Sequence, residues 1–104
     1  MPVLLASKFH HLEIIAVDLI GTDVNVRIIV VYRPPGSDLA AQSAMLDLLS
    51  CLRSLTDINY PVVIAGDTNL PNIDWDSISG PNEKIYEPFI EFFFIYLFIF
   101  FKFF

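Results

Sequence analysis

Gly66-Asp67-Thr68-Asn69-Leu70-Pro71 is the stretch best suited to chemistry in this 104-residue sequence. Asp67 and Asn69 stand two apart, so in extended backbone both side chains leave the same face. A carboxylate beside an amide suits phosphoryl chemistry. The acid can orient or deprotonate a water or bind a hard cation, and the amide can donate to a phosphate oxygen. Gly66 lets the backbone approach closely. The same residue types also make ordinary turns, and on these six residues alone a turn is the simpler account. Tyr32-Arg33-Pro34-Pro35 forms a second cluster. The Tyr32 hydroxyl can donate to a phosphate and Arg33 can pair with one bidentately. A capped strand end with a surface arginine is the plain alternative.

The flanking pattern says what must hold these clusters. Leu12–Ile20 and Val24–Tyr32 are rich in Ile and Val and read as strands joined by a turn at Gly21-Thr22-Asp23, a β-hairpin. Pro34-Pro35-Gly36 stops the second strand, because proline cannot donate to a ladder. Ser37 or Asp38 can cap a helix running to about Leu55, with Ala41, Ala44, Met45, Leu48, Leu49, Leu52 and Leu55 spaced three and four apart. Asn59 and Pro61 end it, and Pro61–Gly66 reads as a short buried strand. Strand, helix, strand implies a crossover between parallel strands, whose carboxyl ends share one edge of the sheet. Tyr32-Arg33 and Asp67-Thr68-Asn69 should both emerge there.

Composition excludes several classes. Six basic against 12 acidic residues, a formal charge of -6, leave no electrostatic footprint for a strongly basic nucleic-acid module. A hydrophobic content of 55% argues against disorder, and one cysteine, Cys51, against a disulfide scaffold. Cys51 lies among helical leucines, where a small buried hydrophobe is the ordinary role. The N-terminus lacks the ordered basic, apolar and small-residue stretches of a secretory signal. Val3–Ser7 looks like a strand remnant.

Taken together, VVYRPPG at 30–36 and VVIAGDTNLPNIDW at 62–75 resemble the endonuclease/exonuclease/phosphatase superfamily, most nearly the apurinic-type endonuclease domains of non-LTR retrotransposons. Thr68 stands where that pattern usually has Phe. The resemblance implies a partial α/β sandwich of the hairpin, crossover helix and parallel strand. It implies Asp67 as the residue that activates or positions water, and Asn69 and Tyr32 as phosphate-binding groups; Arg33 remains a substrate-binding candidate on its own chemistry. The resemblance further implies Mg²⁺ as cofactor and DNA as substrate. The implied site also takes an Asn and a metal-binding Glu from earlier strands, and a late Asp-His pair. No histidine follows His11, and Glu13 is not a substitute for the metal Glu. The metal ligands are therefore left unassigned. Loss of a positioned acid-base group costs roughly 10²–10⁴-fold in rate. The expectation is a truncated domain, residues 1–88, with part of a phosphate site and no meaningful nuclease activity alone.

From Phe89 onward the composition changes. Nine of ten Phe residues lie at or beyond that point, and Phe92–Phe101 is unbroken apolar sequence. Residues 89–104 read as a helical, Phe-rich tail. It resembles the product of a shifted frame or a low-complexity tract, and it is an aggregation hazard. A membrane span needs about 20 apolar residues, so a small membrane-associated protein anchored by this tail is the alternative reading. A half sandwich leaves one sheet face in water, which points to self-association or to a second chain supplying the missing strands. His10 and His11, and Asp74 and Asp76, read as solvated polar residues, with Trp75 packing its loop on the domain.

Overall fold

The computed structural model describes residues 1–95 and 100–102. Strands β1 (Glu13–Ile20) and β2 (Asn25–Tyr32) pair antiparallel from Glu13↔Tyr32 to Ile20↔Asn25, closing the expected hairpin through residues 21–24. Helix α1 spans Leu39–Thr56. Of the two possible caps the structure uses Asp38, whose side chain accepts from the Ala41 N–H at 2.8 Å. Strand β3 (Val62–Asp67) returns parallel to β2, as a crossover demands. Helix α2 (Glu87–Ile95) follows, and a short strand β4 (Phe100–Lys102) pairs with β3. The sheet order is β1-β2-β3-β4. At the N-terminus, Pro2 makes an isolated bridge to Val17 and the Val3 N–H donates to Ala16 O at 2.9 Å, but Val3–Ser7, read as a strand remnant, forms no strand. Ser7–Phe9 is a 3-10 turn.

The two faces of the sheet differ in a way that follows from the period of two. Ile14, Ala16, Ile29, Val31, Val62 and Ile64 point one way and are buried against α1, which contributes Met45, Leu48, Leu49, Cys51, Leu52 and Leu55. Ala44, expected on the buried stripe, is exposed. Burial pushes the Cys51 thiol up to about 11, so it is an inert core residue. On the opposite face none of Ile15, Val17, Leu19, Val26, Ile28, Val30, Val63 and Ala65 is buried, and Ile15 is 66% exposed.

An ion pair closes the far end of the hairpin. Arg27 Nε and Nη2 donate to the two Asp18 carboxylate oxygens at 2.8 and 3.0 Å, and Nη1 donates to Leu55 O at 2.9 Å. The Tyr60 hydroxyl donates to Asp18 Oδ2 at 2.8 Å, tying helix end to hairpin. The Arg27 bonds hold the Asp18 carboxyl below its ordinary value, outweighing desolvation. A carboxyl so depressed stabilises the fold above its unfolded value and loses that contribution as pH falls through its folded value. Asp18→Asn should therefore lower stability by about 2 kcal/mol at neutral pH. Acid titration followed by circular dichroism should show the variant and the parent converging at low pH.

Packing continues past residue 88, where the composition changes. Phe89, Phe92 and Phe93 are fully buried, so the core runs at least five residues further. Trp75 packs edge-on to Phe89 and Phe93, with centroids 6.2 and 5.6 Å apart. Within the Phe-rich segment the described residues are helical to Ile95 and extended at Phe100–Lys102. The remainder of the tail lies outside the described residues. Among the described residues no helix is long and apolar enough to cross a membrane.

Candidate functional site

β2 and β3 run parallel, so their carboxyl ends meet at one edge, with Tyr32 in register beside Asp67. The close approach has a steric requirement. Gly66 lies opposite Val31 with φ +131°, and a Cβ there would collide with the Val31 carbonyl oxygen. Only glycine lets β3 finish against β2 in this way.

The turn after Gly66 is interlocked with the Arg33 loop. Asp67 O accepts from the Arg33 N–H at 2.8 Å. The Arg33 guanidinium donates from Nε to Thr68 O at 2.7 Å, from Nη2 to Asn69 O at 3.2 Å and from Nη1 to Gly36 O at 3.1 Å. In return Asn69 Nδ2 donates to Arg33 O at 2.6 Å. Asp67 Oδ1 accepts from the Asn69 N–H at 2.9 Å, an Asx turn that helps hold Asn69 at φ +51°. Asn tolerates this left-handed backbone better than most residues.

Arg33 is 7% exposed. Burial pulls its guanidinium below the ordinary value, with the Tyr86 hydroxyl and the Asp67 carboxylate acting in the other direction. The sequence reading gave Arg33 to a bound phosphate. In the structure three of its N–H groups are given to carbonyls, and it braces the loop that carries Asp67 and Asn69. Burial, which a local sequence motif does not report, is what turns these donors toward the loop carbonyls.

Asp67 and Asn69 line one open cleft of about 440 Å³ with Gly66, Thr68, Leu70, Pro71, Ile73 and Trp75. Tyr32 is 44% exposed and borders a separate cavity of about 160 Å³ with His11, Glu13 and Arg33. The acid and the amide are thus brought together, while the phenol stands on the neighbouring strand rather than in the lining of the same cleft. Ile73 and Trp75 lie beyond the Gly66–Pro71 stretch, and the continuation NIDW is the signal for them. Asp74 is occupied locally: its carboxylate accepts from the Asp76 N–H at 3.0 Å and the Ser77 N–H at 3.4 Å. Among the described residues no group of three or more metal-ligating side chains exists. One carboxylate does not complete a Mg²⁺ site, which takes near-octahedral oxygen coordination. His10 and His11 are exposed, with Nε2 of each within 3.0 Å of Leu5 O and 3.2 Å of Asp47 Oδ2 respectively.

Fold and site together define a mixed α/β protein with the Arg33 loop and the Asp67–Asn69 turn at the carboxyl edge of a parallel strand pair, a partial arrangement of the endonuclease/exonuclease/phosphatase type. A model of the endonuclease-reverse transcriptase family matches residues 26–95, and the chain belongs to that family. The match includes both clusters and extends through Phe89–Phe93. No curated protein and no solved structure matches the chain.

Proposed function

We propose that this protein is a partial phosphodiesterase domain of the retrotransposon endonuclease type, keeping part of a phosphate site and inactive alone. The observation that carries this reading is the placement of Asp67 and Asn69 together in a cleft at the shared edge of β2 and β3. Asp67 is the group that would orient a water, and Asn69 the one that would meet a phosphate oxygen. Tyr32, in register with Asp67, would add a bond from the adjacent strand. Arg33 acts through the loop rather than on the substrate. Family membership points to metal-dependent chemistry on nucleic acid, with Mg²⁺ and DNA as the proposed cofactor and substrate. The described residues do not supply a full ligand set, so no step is assigned to the metal.

Purified protein with supercoiled plasmid and Mg²⁺ is expected to give no nicking above background. Metal-dependent nicking that disappears in Asp67→Ala would overturn the proposed inactivity.

The open sheet face supports a second element of the proposal. Apolar side chains that remain in water forgo roughly 25 cal/mol per Å² of the stabilisation burial would give. The protein should therefore self-associate through this face. Size-exclusion profiles are expected to shift to larger species with concentration, and Ile15→Lys with Val30→Lys should return them to monomer. A membrane-anchored alternative has no spanning helix in its support among the described residues.

A further inference from the structure

We infer that the groove between helix α2 and residues 78–82 docks a short basic amphipathic helix of a partner protein, one that presents two cationic side chains beside an apolar one. This surface lies apart from the Asp67–Asn69 cleft, and no residue lines both.

Residues three and four apart share one face of a helix, so Glu87, Ile90 and Glu91 of α2 form a single stripe. Phe89, Phe92 and Phe93 occupy the other side and are buried. The stripe faces Ile78, Pro81 and Asn82 across an open groove of about 370 Å³. Glu87 and Glu91 are exposed, while Pro81 and Ile90 are half-buried and give the groove its apolar floor. Gly80 keeps the two walls close, since a Cβ there would stand 3.0 Å from Ile90 Cδ1. Backbone bonds in both directions between Asp74 and Ser79, at 2.7 and 3.1 Å, fix the loop wall in advance. Little order is then lost on docking. The charge on the stripe is unanswered. Neither glutamate has an ion-pair partner among the described residues, and Lys84, the nearest base in sequence, does not line the groove. Like charges at this spacing repel on a helix surface, so cations set beside them remove a cost as well as forming bonds. A net charge of -6 draws a basic partner toward the whole molecule. The apolar floor beside the two acids is what favours this face. It also selects a peptide over a free diamine, because a diamine leaves Pro81 and Ile90 uncovered. The matching partner repeats the pattern with opposite sign: a helix with Lys, Leu and Lys at i, i+3 and i+4 presents all three on one side.

The probe is an acetylated, amidated alanine-rich helix carrying that Lys-Leu-Lys face, titrated into isotope-labelled protein in low-salt buffer. The amide resonances of Gly80, Glu87, Ile90 and Glu91 should move saturably, and added salt should weaken the binding. Serine in place of the peptide leucine should weaken it about threefold or more. Glu87→Gln and Glu91→Gln should each weaken it about twofold or more. Glu87→Lys with Glu91→Lys should abolish it, and should admit instead a peptide with glutamates in place of both lysines. Asp23→Lys with Asp57→Lys makes the same change in net charge at exposed positions outside the groove, and should retain binding of the basic peptide. If the groove reversal does not fold by circular dichroism, the peptide series on the parent and the two glutamine variants decide. Equal losses in the two lysine pairs, or shifts spread over the whole acidic surface, would reduce the effect to net charge and overturn the groove. Cadaverine binding as tightly as the peptide would overturn the peptide partner, and no binding at all would overturn the inference.

Discussion

Gly66→Ala is expected to abolish stable folding or to lower the melting temperature by roughly 15 °C. Two costs add. The φ of +131° is a region that residues with a Cβ rarely occupy, worth about 1–3 kcal/mol. The added methyl would also press on the Val31 carbonyl oxygen, so β2 and β3 must part where they deliver the site. At about 4–8 °C per kcal/mol for a domain of this size, a combined loss of roughly 3 kcal/mol gives the stated shift. Gly36→Ala is the internal control. Gly36 has φ +143°, but its Cβ would meet only the Ala41 side chain at 3.6 Å, ordinary contact. The control should cost about 1–2 kcal/mol, from backbone alone. Thermal melts in which both variants lose the same stability would show that the collision with Val31 is relieved at no cost.

Arg33→Lys is expected to behave as a disruptive change, costing about 2–4 kcal/mol. The guanidinium fork reaches three carbonyls from one planar group, and an ammonium cannot reproduce that arrangement. Lysine would retain the charge while leaving Thr68 O or Asn69 O unbonded in a buried setting. The loss should be visible as broadened or displaced amide resonances at residues 67–70, together with a lower melting temperature. The contrary result, unchanged stability and an unchanged loop spectrum, would return Arg33 to the role of a surface cation free to meet a phosphate. Arg33→Ala should be at least as damaging, since it removes the same bonds and leaves a void. A Tyr32→Phe variant gives a useful contrast, because Tyr32 is 44% exposed.

Much of this architecture was legible in the residues themselves. The hairpin, helix α1 and strand β3 are set by local pattern: Ile- and Val-rich runs, a three-and-four apolar spacing, prolines and glycines at the breaks, with the choice of Asp38 over Ser37 as cap left to the structure. Such signals act over a few residues and survive in isolation. Asp67 and Asn69 meet through a turn with Asn69 at φ +51°, not through the extended backbone their spacing suggested. The family match then falls on the same two clusters.

Long-range contacts decided the rest. Whether Arg33 faces solvent or braces a turn depends on carbonyls at residues 68 and 69, more than thirty positions away, and on the burial created when β3 docks beside β2. The aromatic segment shows the same limit from the other side. Its composition marks a break at Phe89, yet Phe89, Phe92 and Phe93 are buried, with Phe89 and Phe93 packed edge-on to Trp75. Apolar composition states only that such side chains seek cover, and the tertiary arrangement determines which surface provides it. Sequence thus specified the strands, the helix and the acid–amide pair through short-range sterics and hydrogen bonding. The division between bracing and ligand-facing groups came only from the packed structure, because burial is a property of the assembled chain.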